Sequence, residues 1–176
     1  PMACNASNRQ PNTKKRGKPT VLANDPTALE HEIWIAARPE TVFPFFTDPA
    51  KLIRWKGLNA TLVARAGGVY RVDINGRDIV RGEYLEVTPY RRVVFTWGWE
   101  GDNSPLPPGA STVEVDLIAD GQGTRVRLRH NGLPDGVLRQ QHAQGWEHYL
   151  ARLQVLAEGR DPGPDPLAEP DVPHAS

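Results

Sequence analysis

The chain has 176 residues, 21 basic against 21 acidic side chains, and 39% apolar residues. This length suits one domain with tails, and zero net charge gives no global field that would attract nucleic acid or a membrane surface. No stretch of the sequence approaches the roughly 20 apolar residues that a membrane helix needs. The only cysteine, Cys4, cannot form an internal disulfide, which favours a reducing, cytoplasmic setting. We therefore expect neither a nucleic-acid partner nor a membrane partner.

The two ends differ in charge from the middle of the chain. Residues 1–28 hold five basic side chains, Arg9, Lys14, Lys15, Arg16 and Lys18, against Asp25 alone. Residues 160–176 are acidic and hold five prolines. Neither segment carries enough apolar surface to offset the entropy lost on ordering, so both are predicted to be mobile tails around a domain at residues 29–159. The basic cluster could contact an acidic surface, although its composition is more typical of a solvated tail.

The domain begins with alternating and turn-punctuated segments. Residues 30–36 alternate as a strand, and residues 39–46 predict a short helix that Pro44 makes irregular. Asp48 and Pro49 then open a second short helix. Six further strands are predicted at residues 58–64, 69–74, 79–87, 92–99, 112–119 and 124–130. Asn75-Gly76 is typical of a hairpin turn, and the reversal of side-chain parity after Tyr84 predicts a β-bulge.

The last predicted strand and the segment after it define the architecture. Val126, Leu128 and His130 alternate with arginines, so one face of this strand must be covered. Residues 136–158 predict one long helix between Asp135 and Gly159. Its stripe of large side chains comprises Leu138, His142, Trp146, Tyr149, Leu150, Leu153 and Leu156. We predict an α+β fold in which a curved antiparallel sheet packs around this helix.

Catalytic and metal-binding patterns are sparse. The sequence has no Gly-x-Ser-x-Gly elbow, phosphate loop or dinucleotide fingerprint. His142 and His148 lie about 240° apart around a helix and cannot share a metal, so neither a metal nor a cofactor is expected. His31, His130 and His142 could meet inside the domain. Either each is simply hydrogen-bonded in the core, or His130 or His142 orients a polar group of a ligand.

Several strings, in this order, resemble one superfamily. They are EIWIAARPETVF at 32–43, FTDPAKLIRW at 46–55, GGVYRV at 67–72, GEYLEVTPYRRVVFTW at 82–97, GTRVRLRHNGLP at 123–134 and HAQGWEHYLARL at 142–153. Together they resemble the START-like, helix-grip (SRPBCC) superfamily, in the branch of the activator of heat-shock protein 90 ATPase homologues. The resemblance implies a helix-grip fold, with two short helices after the first strand, and an apolar cavity between sheet and helix. Lys56 and Pro44 depart from it, since the family often has a second aromatic residue at the position of Lys56 and a helix former at that of Pro44.

The resemblance also implies a range of functions. Relatives bind lipids, polyketides or hormones, a few cyclise or hydrolyse them, and the eukaryotic namesake binds a chaperone. Our leading hypothesis is non-catalytic binding of a hydrophobic or amphipathic small molecule, without catalytic residues. The predicted ligand-binding residues are Phe46, Trp55, Tyr70, Tyr84, Phe95, Trp97, Leu128, His130, His142, Trp146 and Tyr149. Two alternatives stay open: a cyclase, dehydratase or hydrolase acting on a polyketide-like substrate through His130 and a tyrosine, and a protein-interaction module. The sequence does not decide between monomer and homodimer.

Overall fold

The computed structural model describes residues 28–168, so the predicted basic tail lies outside the described residues up to position 27. The elements follow the predicted order. They are β1 (Leu29–Ile35), α1 (Pro39–Val42), α2 (Pro44–Thr47), α3 (Pro49–Leu52), β2 (Asn59–Leu62), β3 (Val69–Asp73), β4 (Ile79–Thr88), β5 (Arg92–Trp97), β6 (Ser111–Asp120), β7 (Gly123–Asn131) and α4 (Gly136–Ala157). The predicted helix-grip fold is confirmed.

The seven strands form one antiparallel sheet in the order β1-β7-β6-β5-β4-β3-β2. All neighbours are consecutive in the chain except β1, which pairs with β7. On the inner face of β7, Val126, Leu128 and His130 are buried. On its outer face, Arg127 pairs with Glu32 of β1 at 2.8 Å. The alternation predicted for this strand therefore separates the core from a charged outer surface.

Helix α4 crosses the sheet and closes the core. The Asp135 side chain accepts a hydrogen bond from the backbone N–H of Leu138 at 2.8 Å, and Gly159 supplies the positive φ that ends the segment. Its predicted stripe is buried from His142 to Leu156, while Leu138 is half-buried at the end nearest the loop. Gln154 donates a hydrogen bond to the Trp34 carbonyl at 2.7 Å, which ties the helix to β1. No helix within residues 28–168 is both long and apolar enough to cross a membrane.

The predicted helix at 39–46 is instead two helices that join at Phe43. Pro44 lacks a backbone N–H and cannot continue a helix, but it is well suited to the first position of the next one. In α3 the Asp48 side chain accepts a hydrogen bond from the Ala50 N–H at 2.9 Å, as expected of an N-cap. The indole of Trp55 donates to the Phe45 carbonyl at 3.0 Å and anchors these short helices to the residues that follow them.

The strands differ from prediction mainly at their ends. The register between β4 and β5 shifts between Tyr84 and Glu86, which confirms the predicted bulge. β2 is shorter than predicted, and β5 ends at Trp97, two residues early. At Gly82 a Cβ atom would collide with the Thr96 carbonyl, so this position requires glycine for the close approach of the two strands.

Part of the C-terminal segment packs on the domain, although its composition predicted a mobile tail from residue 160. Asp165 pairs with His148 of α4 at 2.8 Å, and Ala168 is buried. The guanidinium of Arg152 donates to the carbonyls of residues 162–164 at 3.0 to 3.4 Å. Polar contacts of this kind are invisible to an argument from apolar content alone, and here they hold residues 162–165 against α4.

Candidate ligand-binding site

A pocket of about 440 Å³ lies between the first half of α4 and one end of the sheet. The helix presents residues spaced three and four apart to this space, so they share one of its faces. The ends of β3 and β5 and the loops beside them form the opposite wall, and Leu167 of the C-terminal segment adds to the lining. The lining residues are Lys56, Ile74, Asn75, Asp78, Trp97, Trp99, Glu100, Pro105, Leu138, Gln141, His142, Gly145, Trp146, Tyr149 and Leu167.

Lys56 is the least expected residue in this lining. It is 1% exposed, and its Nζ lies 4.0 Å from the ring centroid of Trp97 and 4.2 Å from that of Trp146. The Nζ atom donates a hydrogen bond to the Tyr70 hydroxyl at 3.5 Å. Burial holds the pKa of the Lys56 amine well below its ordinary value, because removal from water disfavours the ammonium form. Among the described residues, no carboxylate forms an ion pair with it.

His130 is fully buried and both of its ring nitrogens are engaged by protein groups. The Trp146 indole donates to Nδ1 at 3.1 Å, and Nε2 lies 2.8 Å from the Ser111 hydroxyl. Because an indole can only donate, Nδ1 must accept, and the neutral ring carries its proton on Nε2. The Ser111 hydroxyl in turn donates a hydrogen bond to the Trp97 carbonyl at 2.8 Å. Burial, followed by the nearby His142 and Lys56, lowers the pKa of His130 to about 2, so the ring is neutral.

His142 is held in the same way one turn before Trp146. The Trp99 indole donates to Nε2 at 3.2 Å, so the proton lies on Nδ1, which donates to the Leu138 carbonyl at 2.8 Å. Burial lowers the pKa of His142 and outweighs the effect of the Leu138 carbonyl, which raises it. The ring centroids of His130 and His142 lie 5.3 Å apart. His31, the third histidine considered from sequence, is aligned with Leu128 rather than with His130.

Sequence and structure comparisons place this geometry in a known family. The family model for Activator of Hsp90 ATPase homolog 1-like (AHSA1) proteins matches residues 36–158. The chain belongs to this family. No protein with a curated description shows significant sequence similarity to the chain.

Solved structures agree with this membership. An AHSA1-like protein from Rhizobium etli is 43% identical over 85% of this chain and 92% of that one, with a TM-score of 0.65. An HSP90 activator from Plasmodium falciparum is 26% identical over 74% of this chain and 95% of that one, with a TM-score of 0.62. CalU16 from Micromonospora echinospora is 27% identical over 78% of this chain and 77% of that one, with a TM-score of 0.62.

In this AHSA1-like chain the residues predicted to bind a ligand fall into two groups. Trp97, His142, Trp146 and Tyr149 line the pocket. The other seven are at most 2% exposed and lie outside its lining: Phe46, Trp55, Tyr70, Tyr84, Phe95, Leu128 and His130. Ring packing fills that part of the concave face, as where Tyr70 stacks on Phe95 at 4.1 Å. The pocket of this AHSA1-like domain therefore lies beside the first half of α4 and not over the middle of the sheet. A ligand contact by these seven residues stays a prediction.

Sequence reasoning did not predict that Lys56, Trp99, Gln141 or Gly145 would line the pocket. For Lys56 the family resemblance carried a signal, because it implies an aromatic residue, and hence a buried side chain, at this position. Gln141 and Gly145 flank the stripe of α4 and carry no apolar signal. Within residues 28–168, no three histidine, cysteine, aspartate or glutamate side chains are arranged to hold a metal ion.

Proposed function

We propose that this AHSA1-like protein binds a hydrophobic or amphipathic small molecule, without catalysis, in the pocket between α4 and the sheet. The observation that carries this proposal is the pocket itself. Its volume of about 440 Å³ is in the range of small-molecule sites, roughly 300–1,000 Å³. Trp97, Trp146 and Tyr149 provide aromatic walls, while Asn75 and Gln141 add polar groups that could orient a ligand.

The state of the two histidines supports binding rather than acid–base catalysis. A general base must accept a proton from the substrate at a free ring nitrogen. In His130 and in His142, the only nitrogen able to accept already receives an indole N–H, from Trp146 and Trp99 respectively. Both pKa values are lowered, so neither ring carries the second proton that a general acid would give.

The outer face of the sheet favours a small ligand over an apolar protein-docking surface. Arg92 pairs with Glu86, Glu114 and Asp116 at 2.6 to 2.8 Å, and Arg127 pairs with Glu32. Trp34 and Ile118 are exposed there with Arg125 between them in the register of the sheet, and Leu85 of β4 is exposed as well. Around β1, β7, β6 and β5, paired charges therefore take up much of this face, whereas many protein-docking sites are marked by a contiguous apolar patch.

The proposal is tested by filling the pocket from α4. A Cβ atom added at Gly145 meets no atom within 4 Å, so a phenylalanine there can enter the pocket without disturbing the core. We expect an environment-sensitive apolar dye to bind the native protein with near-unit stoichiometry. Gly145→Phe should weaken this binding at least tenfold, whereas Gly145→Ala should preserve it.

Gly136→Phe is the matched control, since it places the same ring on the same helix outside the pocket lining, where a Cβ atom meets only the end of the Arg139 side chain. It should leave dye affinity unchanged. Unfolding curves of all variants establish that each is folded. Equal dye affinity in Gly145→Phe and Gly136→Phe, or the absence of saturable binding to the native protein, would refute the proposal.

A further inference from the structure

Lys56 is a buried charged residue in the lining of the pocket, and a role for it in ligand recognition rests on the proposed small-molecule function. A charged side chain is rarely buried without a partner, because an unpaired ion loses its hydration without compensation. Lys56 is 1% exposed, and no carboxylate within residues 28–168 pairs with it. Its position is nonetheless favourable to an ammonium, since Nζ lies 4.0 and 4.2 Å from the ring centroids of Trp97 and Trp146.

The pocket wall around Lys56 also carries unused donors. An ammonium has three donor positions, and the hydrogen bond to the Tyr70 hydroxyl uses one of them. The indole N–H of Trp97, a donor only, is buried and has no acceptor among the described residues. Both Lys56 and Trp97 line the pocket. The wall therefore has an excess of hydrogen-bond donors, and Lys56 adds a positive charge whenever its amine is protonated; an acceptor that carries negative charge would satisfy both.

No titratable group facing Lys56 supplies that acceptor. On β7 and α4, His130 and His142 are neutral and occupied. Tyr70 of β3 and Tyr149 of α4 stay protonated, because burial raises the pKa of each phenol above its ordinary value.

The two carboxylates of the pocket lining have partners of their own. Glu100 accepts two hydrogen bonds from Arg71 at 2.8 and 3.2 Å. Asp78 accepts one from Asn75 at 2.8 Å. Neither carboxylate forms an ion pair with Lys56.

We propose that the ligand of this pocket is a hydrophobic organic acid whose carboxylate pairs with the ammonium of Lys56 while its apolar body lies against Trp97, Trp146 and Tyr149. An ammonium–carboxylate pair is charge-assisted and strong in a site removed from water. No covalent bond forms. When the amine is neutral before binding, the proton that completes the ammonium comes from the acid or from solvent, so the bound pair has no net charge.

The test compares acids with alcohols of the same carbon skeleton. Decanoate and 2-naphthoate are titrated against decan-1-ol and 2-naphthalenemethanol by displacement of the apolar dye. We expect at least one acid to bind the native protein at least tenfold more tightly than its alcohol. Lys56→Met keeps an unbranched side chain, one heavy atom shorter, and removes the charge, so it should abolish this preference while alcohol binding persists.

Lys51→Met is the matched control, since Lys51 lies 5.2 Å above the Phe45 ring but outside the pocket lining. It should retain the preference for the acid. Equal affinity for acids and alcohols in the native protein, or a preference that survives in Lys56→Met, would overturn the inference and leave the proposed function intact. Decanal could instead form an imine with the Lys56 amine, with loss of water, and borohydride would reduce that imine to a stable adduct. Such an adduct, without any preference for acids, would also overturn the inference in favour of a carbonyl-binding amine. Absence of dye, acid and alcohol binding alike would refute the proposed function itself.

Discussion

His130 links the core of this protein to the pocket wall. A chain of hydrogen bonds runs from the Trp146 indole through the His130 ring and the Ser111 hydroxyl to the Trp97 carbonyl. It fixes the two tryptophans against each other at a centroid distance of 5.1 Å. The histidine therefore positions the aromatic walls, while its own ring lies outside the pocket lining.

The neutral state of His130 makes the stability of the fold depend on pH. Its folded pKa of about 2 lies below the ordinary value of 6.5, so below pH 6.5 the unfolded chain binds a proton that the folded chain does not. The contribution of His130 to the free energy of unfolding is fully present above about pH 6.5 and is lost as the pH falls toward 2. At pH 5 the loss from this group is about 2 kcal/mol.

His130→Gln removes this titration, so urea unfolding between pH 5 and 6.5 should show the uptake of about one proton fewer than in the native protein. The variant is destabilised at every pH, but the slope against pH is the diagnostic quantity. An unchanged slope would show that His130 binds protons equally in the folded and unfolded states, which would contradict its lowered pKa.

Trp146 provides a second prediction at the scale of one residue. It is 3% exposed and contacts both Trp97 and His130. Trp146→Ala should reduce the free energy of unfolding by about 3–5 kcal/mol, because it removes a large buried ring and leaves a cavity. Trp146→Phe should cost less, about 1–3 kcal/mol, mainly because Nδ1 of His130 loses its donor. Chemical denaturation measures both, and a loss below 1 kcal/mol in Trp146→Ala would contradict the packing described.

Among the elements, α4 covers the concave face of the sheet, and one side chain caps its first turn. Asp135 caps the helix through the 2.8 Å hydrogen bond from the Leu138 N–H. Asp135→Ala should reduce the free energy of unfolding by about 1 kcal/mol, since it leaves that N–H without a partner. Asp135→Asn keeps an acceptor and should cost clearly less. Equal losses in the two variants would show that the charge of Asp135, acting on the helix dipole, matters more than its hydrogen bond.

In the short helices, a single proline determines where one helix ends and the next begins. Pro44 was expected to distort one helix, and the structure resolves that conflict by ending α1 at Val42 and starting α2 at Pro44. The buried Phe43, Phe45 and Phe46 still reach the core from these two short turns. The backbone therefore forms two separate turns where one irregular helix was predicted.

At the scale of the whole molecule, truncations of the two ends test where the domain begins and ends. Composition predicts that removing residues 1–27 leaves the unfolding transition nearly unchanged. For the other end the contacts predict a different result. Truncation after residue 160 removes the Asp165–His148 pair and the carbonyls bound by Arg152, whereas truncation after residue 168 keeps them.

We expect the shorter truncation product to melt several degrees lower than the longer one, since about 1 kcal/mol corresponds to roughly 2–4 °C in a domain of this size. Differential scanning calorimetry compares them. Identical melting temperatures would mean that the packing of residues 160–168 contributes nothing to stability.

The order of the elements, the antiparallel pairing and the buried stripe of α4 were all determined by the sequence. Each rests on a local rule: the alternation of Val126, Leu128 and His130 with arginines, the repeat from His142 to Leu156, and the turn at Asn75-Gly76. Periodicity of this kind reports which face of an element is covered. It does not report how much space remains beneath the cover.

Where the pocket lies was decided only by the tertiary structure. The sequence predicted a cavity among eleven residues, but rings such as Tyr70 and Phe95 stack and fill the middle of the concave face. Close packing in three dimensions depends on the shapes of side chains that are distant in sequence. Lys56 illustrates this dependence, because it is buried by Trp97 and Trp146, which lie 41 and 90 residues further along the chain. No local pattern around Lys56 encodes that burial, since the covering rings arrive from β5 and α4 only when the sheet closes on the helix.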